Sequence, residues 1–105
     1  MYTITSYPLA MNSLENKLML PQGRIIGVTL QSDYMSRPDG TVQYMEEQLM
    51  VSVLHDEKAE QRDAFFYVIF EPTKMENIAS LGKFYGSFGV KGRMYHVFEQ
   101  LYRES

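Results

Sequence analysis

The chain has 105 residues, no cysteine and a formal net charge of −3, with 45% of its residues hydrophobic. A single domain spanning 1–105 is expected, and disulfide frameworks, thiolate metal sites and cysteine nucleophiles are excluded. The acidic balance argues against a broad grip on nucleic acid, whose affinity comes largely from neutralising phosphates.

The opening MYTITSYPLAMNS lacks the basic start and apolar run of a signal peptide. No apolar run approaches the roughly 18 residues that span a bilayer, so a cytoplasmic protein is the expectation. YTITSYPL and NKLMLP are short strand candidates. PQG at 21–23 breaks the chain before RIIGVTLQS, where alternation predicts a strand with Ile26, Val28 and Leu30 on one face.

RPDG at 37–40 has the chemistry of a tight turn. It joins 24–36 to 41–54 as a long hairpin, 24–54, in which Leu49, Val51 and Val53 share a face. HDEKAEQRD at 55–63 reads as a solvated connection, with His55 exposed in it. AFFYVIF at 64–70 is apolar throughout and predicts a strand covered on both faces. In EPTKMENIASLG, Thr73, Glu76 and Gly82 predict a short helix over 74–80. KFYGSFGV and the segment 93–101 close the chain as two strands around a GVKG turn. The fold class expected is mainly β, or α+β with one short helix, as a small antiparallel β-sandwich or partly open barrel of about seven strands.

The glycines of KFYGSFGVKGRMYHVFE suggest phosphate-cradling loops, but neither G-x-G-x-x-G nor G-x-x-x-x-G-K-[ST] is present. An RNA-binding strand would place its first glycine directly after the cation, whereas Phe84 and Tyr85 intervene. The plainer reading turns Phe84 and Phe88 inward and Tyr85 and Ser87 outward, with Gly86 allowing a bulge. What remains of the binding idea is Lys83, Tyr85, Lys91 and Arg93, an aromatic among cations suited to a nucleotide or single-stranded nucleic acid.

No metal or cofactor is expected. His96 and Glu99 lie three apart and so on opposite faces of a strand, and His96 is expected to be partly buried with its ring hydrogen-bonded. Glu46 and Glu47 also fall on opposite faces and form no catalytic pair. Hydrolase motifs are lacking, so the protein is expected not to be an enzyme. The long hairpin, in contrast, concentrates Tyr34, Met35, Arg37, Tyr44 and Met45 near its tip, and tyrosine, arginine and the adaptable thioether favour interfaces.

YPLAMNSLENKLMLPQGRIIGV (7–28) and GKFYGSFGVKGRMYHVFE (82–99) resemble a family of small uncharacterised proteins of tailed bacteriophages and prophages. The residues that carry the resemblance are Pro8, Leu9, Pro21, Gly23 and Ile25, then Tyr85, Gly86, Ser87 and Phe88, and finally His96, Val97, Phe98 and Glu99. Leu20-Pro21 replaces the family's Met-Pro, and the 32–47 hairpin is longer than its usual turn. The resemblance implies a compact β-rich fold and a phage origin, hence the cytoplasm of a host cell, and supplies no activity. The function expected is that of a non-enzymatic phage accessory protein of the host-modulating or anti-defence type. It would bind a host or phage protein, or a second copy of itself, through the 33–45 hairpin. The alternative is the nucleotide or single-strand binder above.

Overall fold

The computed structural model describes residues 1–36, 38–39 and 43–101, with the side chains of 33–36 and 43–45 outside that description. Seven strands, β1 (Tyr2–Leu9), β2 (Glu15–Pro21), β3 (Gly23–Ser36), β4 (Gln43–Asp56), β5 (Gln61–Phe70), β6 (Leu81–Val90) and β7 (Arg93–Gln100), account for its regular structure. They form a three-stranded sheet, ordered β1-β4-β3, and a four-stranded sheet, ordered β2-β5-β7-β6; every pairing is antiparallel. The sheets face each other without closing into a barrel, so the β-sandwich reading holds.

The alternating pattern puts Leu49, Val51 and Val53 of β4 against Phe66 and Val68 of β5 and Val97 of β7, all buried. Each such side chain is worth about 1.5–3 kcal/mol when fully buried, which makes this layer the main source of stability. The 24–54 hairpin is present as β3 paired with β4. The connection after β4 is shorter than expected, residues 57–60. His55 is not exposed but 8% accessible, facing inward from β4. Its Nδ1 lies 2.7 Å from the Asp56 carbonyl, which can only accept, so Nδ1 carries the hydrogen and Nε2 accepts from Thr5 Oγ1 at 2.9 Å. Two partners for both ring nitrogens are what allow the ring inside.

Register shifts, one in β3 and two in β6, upset the parity that alternation implies. Between Ile25 and Gly27 the register slips, so Ile25 and Val28 face the core while Ile26 is 49% exposed. Between Phe84 and Gly86 it slips again. Tyr85 and Phe88 then pack on the core, and Phe84, expected inside, is 52% exposed. Gly86 sits at φ 136°, a value that favours glycine. The GVKG turn forms as expected: Lys91 (φ 50°) and Gly92 (φ 79°) make a two-residue loop between Val90 and Arg93.

The 74–80 helix is absent, and the topology gives the reason. β5 and β6 are both antiparallel to β7, which lies between them, so residues 71–80 must return along the sheet and cross β7. Phe70 is level with Tyr95 and Leu81 with Gln100, a span of roughly 20 Å along and across the strands. The chain first reverses in a turn closed by the Thr73 N–H to the Phe70 carbonyl, with a cis Glu71–Pro72 bond. A helix over the next seven residues would advance only about 10 Å. The extended crossover also settles the faces of β5. Tyr67 is 3% exposed, its hydroxyl 2.9 Å from Ser80 Oγ, whereas Phe65 and Phe70 stay partly open. The strand is covered on both faces only under the crossover. Among the described residues no helix is long and apolar enough to cross a membrane.

Candidate binding surfaces

The residues expected to bind a partner fall where the hairpin outruns the rest of its sheet. β1 pairs with β4 as far as Leu9 opposite Leu49, and the Gln48 amide caps the Leu9 carbonyl. The β3–β4 ladder continues to Ser36 opposite Gln43. Six residues of each strand, about 20 Å, thus form a two-stranded ribbon beyond the end of β1. In its register Tyr34 is opposite Met45, Met35 opposite Tyr44 and Asp33 opposite Glu46. Arg37 lies outside the described residues, as do the side chains of Tyr34, Met35, Tyr44 and Met45.

The four residues of the nucleotide reading are not brought together. Lys83 Nζ lies 5.2 Å from the centre of the Tyr85 ring, a cation–π contact. The Tyr85 hydroxyl donates to Glu99 Oε2 at 3.0 Å. Burial first, then the charge of Glu99 and this hydrogen bond, push the Tyr85 phenol up to about 12. Lys91 and Arg93 stand at the turn at the other end of the hairpin, eight residues along β6 and roughly 25 Å away.

What Lys91 and Arg93 do join is a groove at the open end of the sandwich. One half, about 420 Å³, is walled by Met11, Leu14, Val68, Phe70 and Tyr95. The other half, about 380 Å³, shares Met11, Arg93 and Tyr95 with the first and adds Lys91 and Glu47. The Arg93 guanidinium lies 5.8 Å from the centre of the Phe70 ring, and that ring is 6.1 Å from Tyr95. Glu47 enters from the root of the ribbon. Its Oε2 is buried with no hydrogen-bond partner, a state that costs about 1–3 kcal/mol or more for a charged group. Among the described residues neither Lys91 nor Arg93 forms an ion pair. Glu47 continues the inward parity of Leu49, Val51 and Val53; an acid on that face was the signal that could have revealed it. Phe70, Tyr95 and Met11 carry no such mark.

A third cluster lies on the outer face of the four-stranded sheet. His96 is partly buried with both nitrogens bonded, as expected: Nε2 is 2.9 Å from Glu71 Oε1 and Nδ1 is 2.7 Å from Ser87 Oγ. With Nε2–H given to the carboxylate, Nδ1 accepts from the hydroxyl. Serine, imidazole and carboxylate in line are the parts of an activated nucleophile. Here the line runs from β6 across β7 to the start of the crossover, where the Glu71 N–H also donates to the Met94 carbonyl. It ties the crossover to the strand beneath it. Among the described residues no cluster of three metal-ligating side chains occurs.

Comparison with protein-family models, with curated proteins and with solved structures finds no match for this chain.

Proposed function

We propose that this protein is a non-enzymatic binding module that captures a basic, extended segment of a partner protein along the β3–β4 ribbon. The observation that carries the reading is the ribbon's register, in which one acid, Asp33, is placed opposite another, Glu46, beyond the end of β1. A two-stranded ribbon is marginal by itself in water, and like charges directly opposite weaken it further. A cationic strand laid beside β4 at 43–48, in line with β1, would relieve both defects and use the free backbone edge. An accessory protein that acts by occlusion, as the resemblance to small phage proteins suggests, needs such a surface and no catalytic group.

The test uses two alternating peptides, one with lysine and one with glutamate at every second position, and amide hydrogen exchange of the protein. The lysine peptide is expected to slow exchange at residues 43–48, to do so less at high salt, and to lose its effect in Glu46→Lys. Equal binding of the glutamate peptide, or protection confined to other strands, would overturn the reading.

A further inference from the structure

We infer that the groove at the open end of the sandwich is a binding site for a free apolar α-amino acid. The inference stands apart from the ribbon reading and uses different side chains. Three charged groups line the polar half, and among the described residues none of them is paired with another: the Lys91 ammonium, the Arg93 guanidinium and the Glu47 carboxylate, whose Oε2 is buried without a donor. A ligand that satisfies all three must carry a donor cation and an anion close together. The α-ammonium and α-carboxylate of an amino acid do so, the first donating to Glu47 once its side chain turns the buried Oε2 toward the groove and the second accepting from Arg93 and Lys91.

The other half of the groove specifies the body of the ligand. Leu14, Val68 and Phe70 wall a space of about 420 Å³ that adjoins the polar half, the two sharing Met11, Arg93 and Tyr95 in their walls. Both the size and the contrast of an apolar wall with a few convergent polar groups suit a small-molecule site. An apolar or aromatic side chain would enter this space while the zwitterionic head stays at the turn.

Two rival ligands fit the charges less well. A mononucleotide would meet Lys91 and Arg93 with its phosphate, but that phosphate would lie beside the Glu47 carboxylate, and like charges at short range repel. A divalent cation would find one carboxylate between two cationic side chains.

The experiment titrates the wild-type protein with L-phenylalanine and L-leucine to millimolar concentration and follows backbone amide shifts. Its comparison arms are N-acetyl-L-phenylalanine, L-phenylalaninamide, glycine and guanosine 5′-monophosphate. Shifts are expected at Met11, Phe70 and 93–95. Loss of the ammonium, the carboxylate or the apolar side chain should each weaken binding at least about tenfold. Glu47→Gln should weaken L-phenylalanine by a similar factor and leave the N-acetyl compound unaffected. Absence of binding by both amino acids overturns the inference, as does equal binding of the acetylated or amidated forms, or tighter binding of the nucleotide. The ligand comparison needs no variant, so a misfolded Glu47→Gln protein would not rescue it.

Discussion

The Tyr85 hydroxyl donates to Glu99 Oε2 across the β6–β7 hairpin, and the fold holds back the proton of this phenol, pushed up to about 12. In the unfolded chain that phenol would ionise near 10.0. Between these values the folded state keeps a proton that the unfolded state has released. The stability this group contributes is therefore complete below about 10 and is lost as pH rises toward 12. Tyr85→Phe should flatten that part of the stability–pH curve and remove a tyrosine ionisation near 12 from the near-ultraviolet titration. Glu99→Gln should lower the phenol's pKa only in part, since burial is the first cause. An unchanged late ionisation in Tyr85→Phe would refute the assignment.

Asn16 faces inward from β2 and holds the 10–14 connection between the sheets. Its Oδ1 accepts from the Ala10 N–H at 2.8 Å, and its Nδ2 donates to the carbonyls of Ala10 and Ser13. Asn16→Ala leaves these backbone groups without their partner, and roughly 2–4 kcal/mol of stability should go with them. Urea unfolding at constant m-value measures it. A loss under about 0.5 kcal/mol would place the residue among inert surface positions.

The bonds linking Ser87, His96 and Glu71 should behave as a tether rather than as a catalytic line. Coupling of His96 and Glu71 in a double-mutant cycle should be about 0.5–1 kcal/mol, as for other exposed pairs. His96→Ala should speed amide exchange in the 71–80 crossover. A fluorophosphonate probe should leave Ser87 unlabelled. Labelling abolished by His96→Ala would instead establish an activated serine.

Opposing acids on the ribbon have a cost that shows without any partner. Glu46→Lys turns the pairing with Asp33 from like to unlike charge and should stabilise the protein by a few tenths to about 1 kcal/mol. The gain should shrink in high salt. Destabilisation by this change would contradict the register.

Much of the fold was legible because strands announce themselves by parity and turns by glycine and proline; the long hairpin, the Lys91-Gly92 turn and the bonded His96 all follow. Parity fails where one extra residue enters a strand. Nothing local distinguishes Ile26 from Ile25, or Tyr85 from Phe84, as the residue that a bulge displaces. The helix expected at 74–80 had adequate local signals, and a crossover distance known only from strand order overrode them. His55 was misplaced because its partner Thr5 lies fifty residues away. The groove was invisible for the same reason: Met11, Glu47, Phe70 and Arg93 meet only when both sheets are assembled.

At the end of the molecule remote from the groove, β2 passes into β3 through the single residue Gln22, whose N–H donates to the Glu60 carbonyl. The next residue, Gly23, lies so close to the Leu54 carbonyl that a side chain would collide with backbone. Residues 57–60 cross between the sheets at the same end. Together they act as the spine of a book, with no slack for one cover to slide over the other. At the fore-edge, among the described residues, the five-residue 10–14 loop alone spans the gap. An opening of the two sheets about Gln22 would therefore move Glu47 on one cover and Arg93 on the other farthest apart.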